Sequence, residues 1–147
     1  MKSLYLPFAI LVSVAPQAAS GTMTAPIEPT AETVCSVKNA SLRKHAPRPR
    51  LVVITAHPFY DRHSGDYLSD PGCTDRVDGT GLIQIELPKG KRIADYPELG
   101  KATDQSFLAA NSGKRLHIRC TGTVRYAKRQ TRFLLNGDCQ VWATAAP

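Results

Sequence analysis

From Arg115 to Tyr126 the chain alternates without a break. Leu116, Ile118, Cys120, Gly122, Val124 and Tyr126 share one side, and Arg115, His117, Arg119, Thr121, Thr123 and Arg125 share the other. Successive side chains of a strand point to opposite faces, so the run predicts a strand with one buried side and one wet, basic side. After the polar loop KRQT (128–131) the alternation resumes with Phe133, Leu135, Gly137, Cys139 and Val141. Folding the two runs about that four-residue loop sets Tyr126 opposite Phe133, Val124 opposite Leu135, Gly122 opposite Gly137, Cys120 opposite Cys139 and Ile118 opposite Val141. A slip of one residue would turn every apolar side chain to the wrong face. Directly opposed residues of an antiparallel pair lie within disulfide reach, which predicts a Cys120–Cys139 bond. The opposed glycines predict a sharp corner of the kind a closed barrel needs. A bulge at Gly137–Asp138 is the local feature able to shift this register.

The chain has four cysteines and begins MKSLYLPFAILVSVAPQAAS. Lys2, the apolar run from Leu4 to Val14 and the small residues Ala18-Ala19-Ser20 read as a signal peptide over residues 1–20. The run is shorter than the about 20 residues of a membrane span, so no stable span is expected after its removal. Its removal would leave 127 of 147 residues and lower the formal charge from +7 to +6. That length suits one domain with a modest core. Residues 21–33, GTMTAPIEPTAET, read as a flexible linker, with the domain over 34–147. An even cysteine count in an exported chain implies disulfides, and Cys35–Cys73 follows by elimination. No CxxC is present, which argues against structural zinc. The expected location is the periplasm or outside the cell.

Elsewhere, Ser36–Ala46 reads as a short helix stopped by Pro47 and Pro49. Residues 50–61 (RLVVITAHPFYD) read as a long strand, 61–66 as a turn, 66–70 as a return strand and 81–88 as a third strand. Residues 88–101 read as loop, and 103–113 as a helix capped by Thr103 and closed at Gly113. The order is strand, strand, strand, helix, strand, strand. That is the connectivity of the OB-fold, a five-stranded Greek-key barrel, so a mainly β, OB-like fold is expected. An open α+β sheet or sandwich is the alternative. The arrangement of TVCSV (33–37), a strand, YLSDPGC (67–73), a second apolar strand, a helix and a final long hairpin resembles small exported bacterial OB-like proteins of unassigned function. The resemblance spans about residues 33–143 and implies fold and compartment, with no catalytic residues to transfer.

Lys114, Arg115, Arg119, Arg125, Lys128, Arg129 and Arg132 fall within nineteen residues that hold no acid. OB-folds bind over their second and third strands and the two rim loops, here DRHSGD and AKRQT. The expected ligand-binding set is therefore Arg115, His117, Arg119, Arg125, Lys128, Arg129 and Arg132, with Tyr60, Tyr67 or Tyr126 available for stacking. A solvated face that keeps the protein soluble is the plainer reading of the same charges. The partner would be an anionic ligand or an acidic protein surface; in a periplasm, lipid headgroups, glycans or proteins suit better than nucleic acid.

His57, Asp61, His63 and Asp66 crowd one segment, but their spacing matches no metal signature, and Asp, Ser and Gly are ordinary turn residues. No metal or cofactor is expected. RVDGTGLIQIEL resembles the acidic segment of exported staphylococcal-type nucleases only superficially. Asp75, Asp78 and Glu86 could take acidic roles, but the base and arginine pair of such an enzyme are not recognisable. Histidines His57, His63 and His117 do not by themselves make an acid–base pair. Asn39 begins a glycosylation sequon, relevant only in a eukaryotic secretory pathway. The sequence thus points to a non-enzymatic binding module, with a small nuclease-like hydrolase, or an inhibitor acting through the hairpin tip, as alternatives.

Overall fold

The two longest strands organise the molecule. The computed structural model describes residues 26–41, 47–73, 81–127 and 130–147; residues 1–20, read as a signal peptide, and 21–25 of the segment read as a linker lie outside them. β2 (Arg50–Asp61) and β5 (Lys114–Ala127) run antiparallel from Arg50↔Val124 to Ala56↔Ile118. Each outruns the shared ladder and takes further partners. The far end of β2 pairs antiparallel with β3 (Gly65–Ser69), and β3 with β4 (Leu82–Glu86). β4 pairs in parallel with β6 (Gln130–Leu135), which returns antiparallel to β5. These contacts close a ring through β2, β3, β4, β6 and β5. β1 (Thr30–Glu32) joins β2 in parallel and β7 (Gln140–Ala145) joins β5 antiparallel, so the sheet has seven strands rather than the expected five. β1 falls in the segment read as linker, and β7 is the split-off end of the last expected strand.

That split corrects the hairpin register. Tyr126 pairs with Thr131, Val124 with Phe133 and Gly122 with Leu135, each two residues from the expected partner, whereas Ile118 does oppose Val141. Pairing continues to Ala127↔Gln130, so only Lys128 and Arg129 remain between the strands in place of a four-residue loop. Two-residue connections are the commonest hairpin form. The difference is taken up at residues 136–139, where the strand leaves the ladder, Gly137 adopts φ +95° and Asn136 N donates to Thr121 O at 2.9 Å. A shift of two keeps every side chain on its face. The inward set accordingly holds, and Cys120 and Cys139 still meet, with an S–S distance of 2.02 Å. Gly122 faces Phe133 rather than Gly137: a Cβ there would lie 2.5 Å from the Phe133 ring and from Leu134 O.

The core fills the ring. Val52, Ile54, Leu68, Ile83, Ile118, Val124, Phe133 and Leu135 are all buried. α1 (Val34–Ser41) packs against β2, β4 and β6 and adds Val34 and Val37. It starts two residues before the expected helix because Thr33 and Ser36 cap reciprocally: Ser36 N donates to Thr33 Oγ1, and Thr33 N to Ser36 Oγ, both at 3.0 Å. The expected end of that helix, 42–46, lies outside the described residues. Lys38 is buried within α1 and donates to Leu82 O at 2.9 Å. The second disulfide, Cys35–Cys73, ties α1 to the turn after β3, so both expected pairs form.

Between β4 and β5 the expected loop and single helix become a 3₁₀ turn (Ile93–Asp95), α2 (Pro97–Gly100) and α3 (Gln105–Ala110). Asp104, not Thr103, caps α3, accepting from Phe107 N at 2.7 Å. α2 is capped from afar: Glu98 N and Leu99 N donate to Asp138 at 2.9 and 3.0 Å. Among the described residues no helix is long and apolar enough to cross a membrane. Two disulfides fit an oxidising compartment.

Candidate functional site

The outward residues of β5 carry the expected basic row, but the structure divides it. Arg115, Arg119 and Arg125 are exposed and His117 is half-buried. Arg119 and Arg125 are six strand steps apart, about 20 Å at the rise of a strand. The first group, Arg115, His117 and Arg119, lies along β7 and the far half of β2. The second group is Arg125 with Arg132, directly opposed across β5 and β6. Arg132 Nη1 donates to Glu86 Oε1 at 2.6 Å and Nη2 to Gln130 Oε1 at 3.2 Å, so its charge is matched and its side chain fixed. Its Nε is buried without a hydrogen-bond partner. Among the described residues Arg115, Arg119 and Arg125 make no ion pair. Lys128 and Arg129 lie outside the described residues.

Next to the second group is a cavity of 280 Å³, bounded by the end of β2, the 61–64 turn, β3, β4 and the start of β6. Phe59 and Tyr67 line it as an edge-to-face pair with centroids 6.1 Å apart, and Arg132 stands on its rim. Its turn is held by Asp61, whose Oδ1 accepts from Ser64 Oγ (2.8 Å), His63 N (2.8 Å) and Ser64 N (2.9 Å). The Ser64 hydroxyl first, then the His63 and Ser64 amides, keep the Asp61 carboxyl below its usual range. Gln84 Nε2 donates to Ser64 O at 2.8 Å and pins the turn to β4. The rim is therefore preorganised. Aromatic faces beside a guanidinium can hold a small ring that carries an anionic substituent.

The other residues singled out in the sequence scatter. Asp66 is half-buried, and burial raises its carboxyl above the usual range. Among the described residues no three His, Cys, Asp or Glu side chains converge as a metal cluster, so His57, Asp61, His63 and Asp66 form none. Glu86 is committed to Arg132, while Asp75 and Asp78 lie outside the described residues. Of the three tyrosines offered for stacking, Tyr67 lines the cavity, whereas Tyr60 is exposed on β2 and is not among the lining residues. Tyr126 is half-buried and structural, accepting from Arg50 and donating to Val37 O.

One arrangement is invisible to local sequence reading. His57, on β2, lies with its ring centroid 5.1 Å from that of His117. Trp142 on β7 stacks on the other side of the row, 5.4 Å from His117 and within 16° of parallel. Trp142 pairs with His117 in the β5–β7 ladder, and His57 follows the last β2–β5 pair. Only the three-strand register would have revealed the row. Burial first, then His57 and Arg115, hold His117 below the usual imidazole range. Compared with known proteins, the chain matches no family, no curated protein and no solved structure.

Proposed function

We propose that the protein is an exported, non-enzymatic, OB-like binding domain that takes an anionic ligand, or an acidic protein surface, on its basic outer face. The OB-like reading is supported by the ring order β2-β3-β4-β6-β5, the parallel β4–β6 pair and the helices between β4 and β5. Export is supported by the signal-like first twenty residues and by two disulfides.

The observation that carries the binding reading is the cavity between the 61–64 turn and β6. On the OB-like reading it would correspond to the ligand face over the second and third ring strands, β3 and β4. Phe59 and Tyr67 would receive the ligand's ring, and Arg125, which makes no ion pair among the described residues, would answer its charge beside the Glu86-matched Arg132. The test is retention on a sulfated-polysaccharide matrix at low salt, beside turnover assays on nucleic-acid and ester substrates with and without calcium. Retention that Arg125→Ala reduces, with no turnover, supports the reading. Calcium-dependent turnover would replace it with a hydrolase.

A further inference from the structure

We propose that His57 and His117 form a two-imidazole site for a borderline divalent transition metal, with copper(II) bound more tightly than zinc(II). The inference is independent of the anion-binding reading and concerns a different part of the outer face.

Register and tautomer carry it. The β2–β5 ladder ends at Ala56↔Ile118, so His57 and His117 are the next opposed positions. Their ring centroids lie 5.1 Å apart, tilted by 43°. Two imidazoles on one tetrahedral metal, with metal–nitrogen bonds of about 2.0–2.1 Å, place their centroids about 5 Å apart. His57 Nδ1 lies 2.7 Å from Leu116 O. A carbonyl only accepts, so neutral His57 carries its proton on Nδ1 and leaves the Nε2 lone pair open. A ring N–H given to a backbone carbonyl is the usual outer-shell partner of a metal-ligating histidine. His117 Nε2 sits 2.8 Å from Thr144 Oγ1; when it donates there, Nδ1 is the free ligand. Imidazole nitrogen suits copper and zinc, and copper leads zinc for a given donor set.

Two protein ligands leave the remaining positions to water. Arg115 and Arg119 flank His117 on the same strand face and oppose a cation, so the affinity is modest. This opposition separates the metal site from anion binding. Removing Arg115 strengthens the first and does not strengthen the second.

Trp142 is the chain's single tryptophan and stacks on His117, so it reports the site directly. The experiment titrates copper(II) chloride into the purified, disulfide-bonded protein and follows tryptophan fluorescence. Zinc(II) calorimetry serves as a readout that does not depend on the stack. The expected result is saturable quenching at one equivalent. His57→Gln and His117→Gln each weaken binding by at least about tenfold, the scale of losing even a supporting shell. Arg115→Ala tightens it, and His63→Gln leaves it unchanged. Absence of saturable binding by both metals overturns the proposal, as does binding that His57→Gln leaves intact or His63→Gln removes.

Discussion

Arg50 grips Glu32 with two parallel hydrogen bonds, Nε to Oε1 at 2.6 Å and Nη2 to Oε2 at 2.7 Å, and so fastens β1 to β2. Arg50 Nη1 also donates to Tyr126 Oη at 2.9 Å, and that hydroxyl donates to Val37 O at 3.2 Å. One guanidinium thereby joins β1, β2, β5 and α1. The Arg50 hydrogen bond is the first cause holding the Glu32 carboxyl below its usual range, and the contact raises Arg50 above its own. Because the folded-state value is depressed, the stabilisation is present above the unfolded value and lost as pH falls through the folded one. Glu32→Gln should cost about 1 kcal/mol at neutral pH, near the upper end for a partly exposed pair. Urea midpoints taken at falling pH should converge for the two proteins below about pH 4. A gap that persists in acid would contradict this account of Glu32.

The disulfides differ in the loops they close, 19 residues apart for Cys120–Cys139 and 38 for Cys35–Cys73. On the loop-entropy relation their removal should cost about 3 and about 4 kcal/mol respectively. Paired Cys→Ala variants, compared by denaturant midpoint, test the size and the order. Non-reducing peptide mapping tests the pairing itself.

Gly122 and Phe133 form a fitted pair, since a methyl group at 122 would meet the ring at 2.5 Å. Gly122→Ala should destabilise by about 1–3 kcal/mol, the usual cost of overpacking. Phe133→Leu in the same chain should recover part of that loss in a double-mutant cycle. Gly100→Ala, where a Cβ meets nothing, is the control and should be near neutral.

Asp138 stands about forty residues from the helix that it caps, and it also accepts from Cys139 N at 2.8 Å. Asp138→Ala should cost about 1 kcal/mol or slightly more, as cap losses do. Amide exchange at Glu98 and Leu99 should rise before the core opens. Unchanged exchange there would mean that α2 does not depend on the cap.

These cases also show what the sequence could reveal. Period-two alternation marked β4, β5, β6 and β7, β-branched apolar composition marked β2, and the preceding turn marked β3; parity survived even where the Val124 and Tyr126 partners were displaced by two. The register itself was not legible. It depends on where the strand leaves the ladder at 136–139, which alternation cannot locate. β1 has only Thr30, Ala31 and Glu32 and buries almost nothing, so its signal is the distant Arg50. α2 carries Pro97 as a local cue, but Asp138 completes its start. The basic residues of the candidate site were legible as composition. Their division into two groups, the Arg132–Glu86 pair and the His57–His117–Trp142 row required the neighbouring strands.

The central claim is anion binding beside Phe59, Tyr67 and Arg132, with Arg125 extending the path. Its most direct test is calorimetric titration of a sulfated oligosaccharide at several salt concentrations into the parent protein, Arg125→Ala and Tyr67→Ala. The account predicts saturable binding that weakens with salt, a log–log salt slope reduced by about one in Arg125→Ala, and a loss in Tyr67→Ala at every salt concentration. No binding at low salt, or binding that neither substitution changes, would contradict it.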